Sequence, residues 1–234
     1  MRTGLEIEPP LSVGVGSPTM NSRAELASSD GRPNPPLNAR SVRTRRALVD
    51  AVRAELEQKG SFQAEGVVAR AECSVATFYG HFPTKDDALA EAFESSLDEL
   101  LALSERWLDA GRLSGTALEA LVGGFTDELV SYFRRSSLLW RAALGRMAES
   151  RRVRSVYQKA DRRSLATAQR FVSEGQESGV IRSGEARRLA SALVVVAQGL
   201  HSPHLLRPGA DAAIRSEVAR AMTALLQPIG ERTG

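Results

Sequence analysis

The chain has 234 residues, 42% of them apolar, and a formal net charge of +3. That is enough material for a buried core in one or two domains. The one cysteine, Cys73, excludes an internal disulfide, and no stretch approaches about 18 uninterrupted apolar residues, so neither a disulfide-stapled scaffold nor a membrane span is expected. The N-terminal residues show no apolar segment followed by a cleavage site, which predicts a cytoplasmic protein.

So small a net charge does not point to nucleic acid. Its distribution is more informative. Eight basic and five acidic side chains fall between Ala39 and Lys85, two and eleven between Asp86 and Leu129, ten and two between Val130 and Arg163. Nearly all the basic residues are arginine; the lysines are Lys59, Lys85 and Lys159.

Residues 1–38 carry six of the ten prolines and no helical or strand period. They predict a disordered arm. From Ala39 the pattern is helical nearly to the end. Val42, Val49, Val52 and Leu56 share a face, and Gly60 stops the helix. Short helices follow over about 64–71 and 75–81. Pro83 ends the second, because the residue before a proline is steered out of the helical region. Thr84 then caps a long helix reaching about Asp109, with Asp86 and Asp87 in its first turn. Leu89, Phe93, Leu97, Leu100 and Trp107 trace its apolar stripe.

A break at 111–115 precedes helices over about 116–134, 137–149, 152–178, 184–204 and 210–227. No alternating β-branched run suggests a sheet. The expected fold is all-α: an N-terminal three-helix bundle over 39–85 and a larger helical bundle over 86–230.

The 75–81 helix carries the functional signal. Phe78 and Phe82, four apart, should bury against Val49 and Val52. Val75, Ala76, Thr77 and Gly80 then face outward. Small side chains permit close approach to a DNA major groove, apolar ones can meet thymine methyls, and Thr77 can bond a base edge. Ser74 stands where an N-cap is wanted, leaving free N–H groups for a phosphate. Tyr79 and His81 add donors. Lys85, and the cluster Arg43, Arg45 and Arg46, sit at helix starts where the dipole disfavours cations; phosphate contact explains both placements.

Thr77-Phe78-Tyr79-Gly80-His81-Phe82-Pro83-Thr84-Lys85 resembles the end of the helix-turn-helix of the TetR family of transcriptional regulators, and Asp86, Asp87 and Leu89 continue the likeness. The match spans 39–85, with a sequel to about 108. The turn departs from the pattern: Glu72 stands where glycine is usual. A left-handed turn would cost a glutamate about 1 kcal/mol, so Glu72 is expected at positive φ or the turn is expected to shift. Cys73 fits a buried structural thiol.

The resemblance implies a repressor that binds double-stranded, palindromic operator DNA as a homodimer. A small-molecule effector would bind in the C-terminal bundle. For the dimer interface, Leu189, Leu193, Val196, Ala197 and Leu200 line one helix and Ile214, Val218, Ala221, Met222 and Leu225 another. Trp107, Phe125, Tyr132, Phe133, Trp140, Tyr157 and Phe171 could ring a pocket or form ordinary core. Gln198 and His201, with Tyr157, are polar candidates for ligand selection. His201 and His204 lack a third metal ligand, so no metal is expected. The basic run from Arg134 to Arg163 could attract an anion; solvation, or pairing with the acidic long helix, is the plainer reading. No nucleotide loop, nucleophile elbow or zinc signature proposes an enzyme, and no cofactor is expected. A helical interaction module without sequence-specific DNA binding is the alternative function.

Overall fold

The computed structural model describes residues 39–206 and 212–228. The expected arm at 1–38 and the expected break at Pro208 and Gly209 lie outside them. Among the described residues the secondary structure is helical, without strands. Helix α1 (Ala39–Lys59) ends at Gly60, whose φ is +72°, so the stop is a left-handed cap. Helices α2 (Ala64–Arg70) and α3 (Val75–His81) follow. Helix α4 (Lys85–Trp107) opens with a full capping box: Thr84 accepts from the Asp87 amide while the Asp87 carboxylate accepts from the Thr84 amide. A 3₁₀ turn (Ala110–Ser114) fills the expected break.

Helix α5 runs unbroken over Leu118–Arg146. The expected interruption between 134 and 137 is therefore corrected. Arg134-Arg135-Ser136-Ser137 is polar but holds no helix breaker; Ser136 is buried, and the Arg134 guanidinium donates to the Leu205 carbonyl at 3.0 Å. Helix α6 (Arg151–Glu177) is capped by Ser150. Helix α7 (Ala186–Gln198) stops earlier than expected, at Gly199, and a 3₁₀ turn (Gly199–His201) leads to the single-turn α8 (Pro203–Leu206). Helix α9 (Ala212–Leu226) ends the described chain.

Helix α2 packs on both α1 and α3, and α1 leans on α4 and α5. Helix α4 lies along α6, α6 along α7, and α5 along α9. One continuous apolar cluster joins them, from Leu48 to Leu226. The basic block meets the acidic helix, as the plainer reading held. Lys159 pairs with Glu94 at 2.8 Å, Arg163 with Asp98 at 2.9 Å and Arg146 with Asp86 at 3.0 Å.

Candidate nucleic-acid interface and ligand cavity

Helix α3 is held by its two phenylalanines. Phe78 and Phe82 are fully buried, with ring centroids 5.5 Å apart. Ser74 caps the helix, its hydroxyl accepting from the Thr77 amide at 3.1 Å. Val75, Ala76, Tyr79 and Gly80 are exposed, and Thr77 is half-buried. A Cβ at Gly80 would meet nothing within 4 Å, so this flank is open.

The turn before α3 holds the expected strain. Glu72 has a φ of +51° and is the non-glycine residue at positive φ among those described. Its side chain is exposed and has no hydrogen bond or ion pair among the described residues to offset the backbone cost. Cys73 is half-buried against the core, and burial raises its thiol above the ordinary range.

An open groove runs between the start of α1 and the turn, bordered by Arg40, Arg43, Thr44, Ala47, Ser74, Thr77 and His81. Arg43 and Arg46 are exposed and have no ion-pair partner among the described residues. Arg40 and Thr44 were missed in the sequence. Their spacing with Arg43 and Ala47 marks one helical face, which would have found them. Lys85 is exposed, its ammonium donating to the Gln63 side-chain oxygen. Gln63 itself stands at the N-cap of α2 without capping it.

Arg45 departs from expectation. Its guanidinium grips Glu91 of α4, with Nε 2.9 Å from one carboxylate oxygen, and donates to the His81 carbonyl at 2.8 Å. It also lies 4.7 Å over the Phe82 ring. Those bonds engage all three of its nitrogens. Arg45 is a strut from α1 to α3 and α4, so its guanidinium is held within the chain rather than free for the expected phosphate contact. Beside it, burial first and the Arg45 charge second hold the His81 imidazole below its ordinary pKa.

The second site is a cavity of about 80 Å³ between α4, α5, α6 and α7. Phe125, Phe133, Trp140, Tyr157, Gln198 and His201 line it. Three expected members, Phe171, Trp107 and Tyr132, do not. Phe171 is fully buried core. Trp107 packs on Gly124, where a Cβ would stand 2.3 Å from its ring, and bonds Glu128 through its indole nitrogen. Tyr132 lies behind the wall: Trp140 Nε1 donates to its hydroxyl at 3.2 Å, and that hydroxyl donates to the Ser96 carbonyl at 2.7 Å. The indole is thereby fixed as a wall.

Among the lining residues missed in the sequence are Tyr157's helical neighbours Ala160, Asp161, Ser164 and Ala168. They recur at three- and four-residue steps along one face of α6. Asp161 Oδ1 accepts from Gln198 Nε2 at 2.8 Å. Burial first, then the Asp161 charge, raises the Tyr157 hydroxyl above its ordinary range. No group of three potential metal ligands occurs among the described residues.

The expected dimer residues divide. Leu189, Leu193, Leu200 and Met222 are buried in the chain's own core and Ala197 lines the cavity, so these are corrected. Ala221 and Ile214 remain exposed, Val196, Val218 and Leu225 half-exposed. Val195 is the most exposed large apolar residue among those described, at 66%.

No family model and no curated protein matches the chain. Solved structures do. A Mesorhizobium loti protein assigned to the TetR family of transcriptional regulators is 19% identical, with a TM-score of 0.63 over 80% of this chain and 94% of that one. The chain has the TetR-regulator fold. A TetR transcription regulator of Haloarcula marismortui matches at 19% identity and TM-score 0.58, over 80% and 100% of the two chains. A transcriptional regulator of Saccharomonospora viridis, solved in complex with choline, matches at 20% and 0.59, over 78% and 96%. Among the described residues no helix is long and apolar enough to cross a membrane.

Proposed function

We propose that this chain is a DNA-binding transcriptional regulator whose affinity for its operator is set by a small molecule in the α4–α7 cavity. One observation carries the reading: α3 buries Phe78 and Phe82 and turns Val75, Ala76, Tyr79 and Gly80 to solvent. That is the disposition of a helix meant for a major groove. Phosphate contacts fall to Arg43, Arg46, Tyr79 and Lys85, with Arg40 added by the groove. Thr77 reads a base edge, flanked by Ser74, Val75, Ala76, Gly80 and His81. The fold likeness supports the reading, as does a relative of this fold solved with choline.

Helices α7 and α9 pack side by side, and both present apolar residues outward, Val195 and Ile214 among them. A homodimer formed through this pair would set two recognition helices about 34–36 Å apart, on a palindromic operator. The effector would then favour the conformer with the wrong spacing. Residues 39–85 would bind DNA and 86–230 the effector and the partner subunit. The protein would act in the cytoplasm, without enzymatic turnover.

Sequencing the genomic DNA retained by the purified protein tests this directly. Enrichment of an inverted repeat is the expected result. With that repeat in hand, Lys85→Ala should lower the slope of log affinity against log salt by about one. Failure to retain any sequence above random duplex would leave the interaction-module reading in its place.

A further inference from the structure

We propose that the α4–α7 cavity takes a compact organic monocation, an alkylammonium group, with Asp161 as its counter-ion. This rests on reading the cavity as the effector site. The wall is apolar: Leu97, Leu100, Leu129 and Leu193 close it, with Phe125, Phe133, Trp140 and Tyr157 among them. Asp161 is the one lining residue among those described that is an acid, a lysine or an arginine. A carboxylate brought into apolar surroundings is ordinarily paired with a cation. Asp161 is half-buried, and its hydrogen-bond partner among the described residues is the neutral Gln198 amide.

The basic residues around it in sequence are committed elsewhere. Lys159 reaches Glu94 and Arg163 reaches Asp98, both on α4, while Arg162 is exposed. The basic run that could have suggested an anion therefore points away from the cavity, and the charge facing inward is negative.

The rings suit the same ligand. Trp140 and Phe133 stand edge to face with centroids 5.1 Å apart, and Tyr157 joins them through Phe93. Aromatic faces attract a cation through their quadrupole, and more strongly once water is excluded. His201 lines the same cavity, with its Nδ1 against the Gln198 carbonyl. A volume of about 80 Å³ fits a head group of a few heavy atoms.

The test is calorimetric titration of the full-length protein with tetramethylammonium, tert-butanol and pivalate. The first two are similar in size and differ in charge; the third reverses the charge. The expected result is that tetramethylammonium binds about tenfold or more tightly than tert-butanol, that pivalate does not bind, and that Asp161→Asn erases the difference. A thermal melt of the variant matching the parent's shows that it still folds. Tert-butanol or pivalate binding as tightly as the cation, or an Asp161→Asn variant that keeps the preference, would overturn the cation proposal and leave the effector cavity standing. Binding of none of the three, with operator binding intact, would overturn both.

Discussion

Helix α3 buries two phenylalanines and turns its other side chains outward, whereas the cavity collects its lining from four helices and a 3₁₀ turn. The first is a short segment whose residues already lie next to one another in the chain. The second gathers Leu97 and His201, more than a hundred residues apart in the chain, into one lining. A surface built from neighbours can be read from spacing. A cavity depends on how whole helices cross, and spacing within one helix names only the face, not what it meets.

Experiments can press on this contrast from the anchor of α3 outward. Phe82→Ala removes a fully buried ring beneath Arg45. It should cost about 3–5 kcal/mol in urea unfolding and abolish operator binding. A loss under about 1 kcal/mol would show that α3 is not held from below. Arg45→Ala comes next, at about 2 kcal/mol, since it breaks charged hydrogen bonds that are only partly exposed. Operator affinity should fall while the salt slope stays the same. A slope reduced as for Lys85→Ala would restore Arg45 to the phosphate contacts.

Two glycine exchanges have smaller effects of opposite meaning. Glu72→Gly relieves a left-handed residue and should raise stability by about 1 kcal/mol. Gly80→Ala adds a Cβ into open space. It should raise thermal stability by about 0.5–1 kcal/mol, as alanine does in a helix interior, and still weaken operator binding if, as proposed, DNA comes to fill that space. Equal operator affinity in Gly80→Ala would remove Gly80 from the interface.

The smallest effect is on acid stability. A hydrogen bond from Lys59, then one from Arg70, holds the Glu55 carboxyl below its ordinary pKa. A hydrogen bond from Arg146 does the same for Asp86. A carboxyl whose pKa is lower folded than unfolded stabilises the fold above its unfolded pKa, and that contribution fades as pH falls through the folded value. Glu55→Gln should therefore be less stable than the parent at neutral pH, with the gap closing in acid. A gap constant with pH would assign Glu55 no electrostatic role.

Much of the first region was legible. Gly60, Pro83 and Thr84 each carry a local backbone reason, and the boundaries of α1, α3 and α4 follow from them. Glu72 was legible for the same reason, because positive φ is a property of a single residue. Arg45 was not: its two neighbours Arg43 and Arg46 are exposed, and nothing in the run Arg43-Thr44-Arg45-Arg46 says which arginine turns toward Glu91, 46 positions away. The missed continuity of α5 has the reverse cause. Polar residues were read as a break, yet a helix stays whole through arginine and serine when tertiary packing covers one face.

The all-α class, the helix-turn-helix and its outward side chains were determined by the amino-acid sequence alone, because periodicity, caps and glycines act within a few residues. The tertiary structure alone decided which expected dimer residues belong to the core, which aromatics wall the cavity, and that the charge facing into it is Asp161. Leu189 and Val195 share helix α7, yet one is buried and the other bare. That difference depends on where α6 and α9 lie, and on long-range packing that no local pattern encodes.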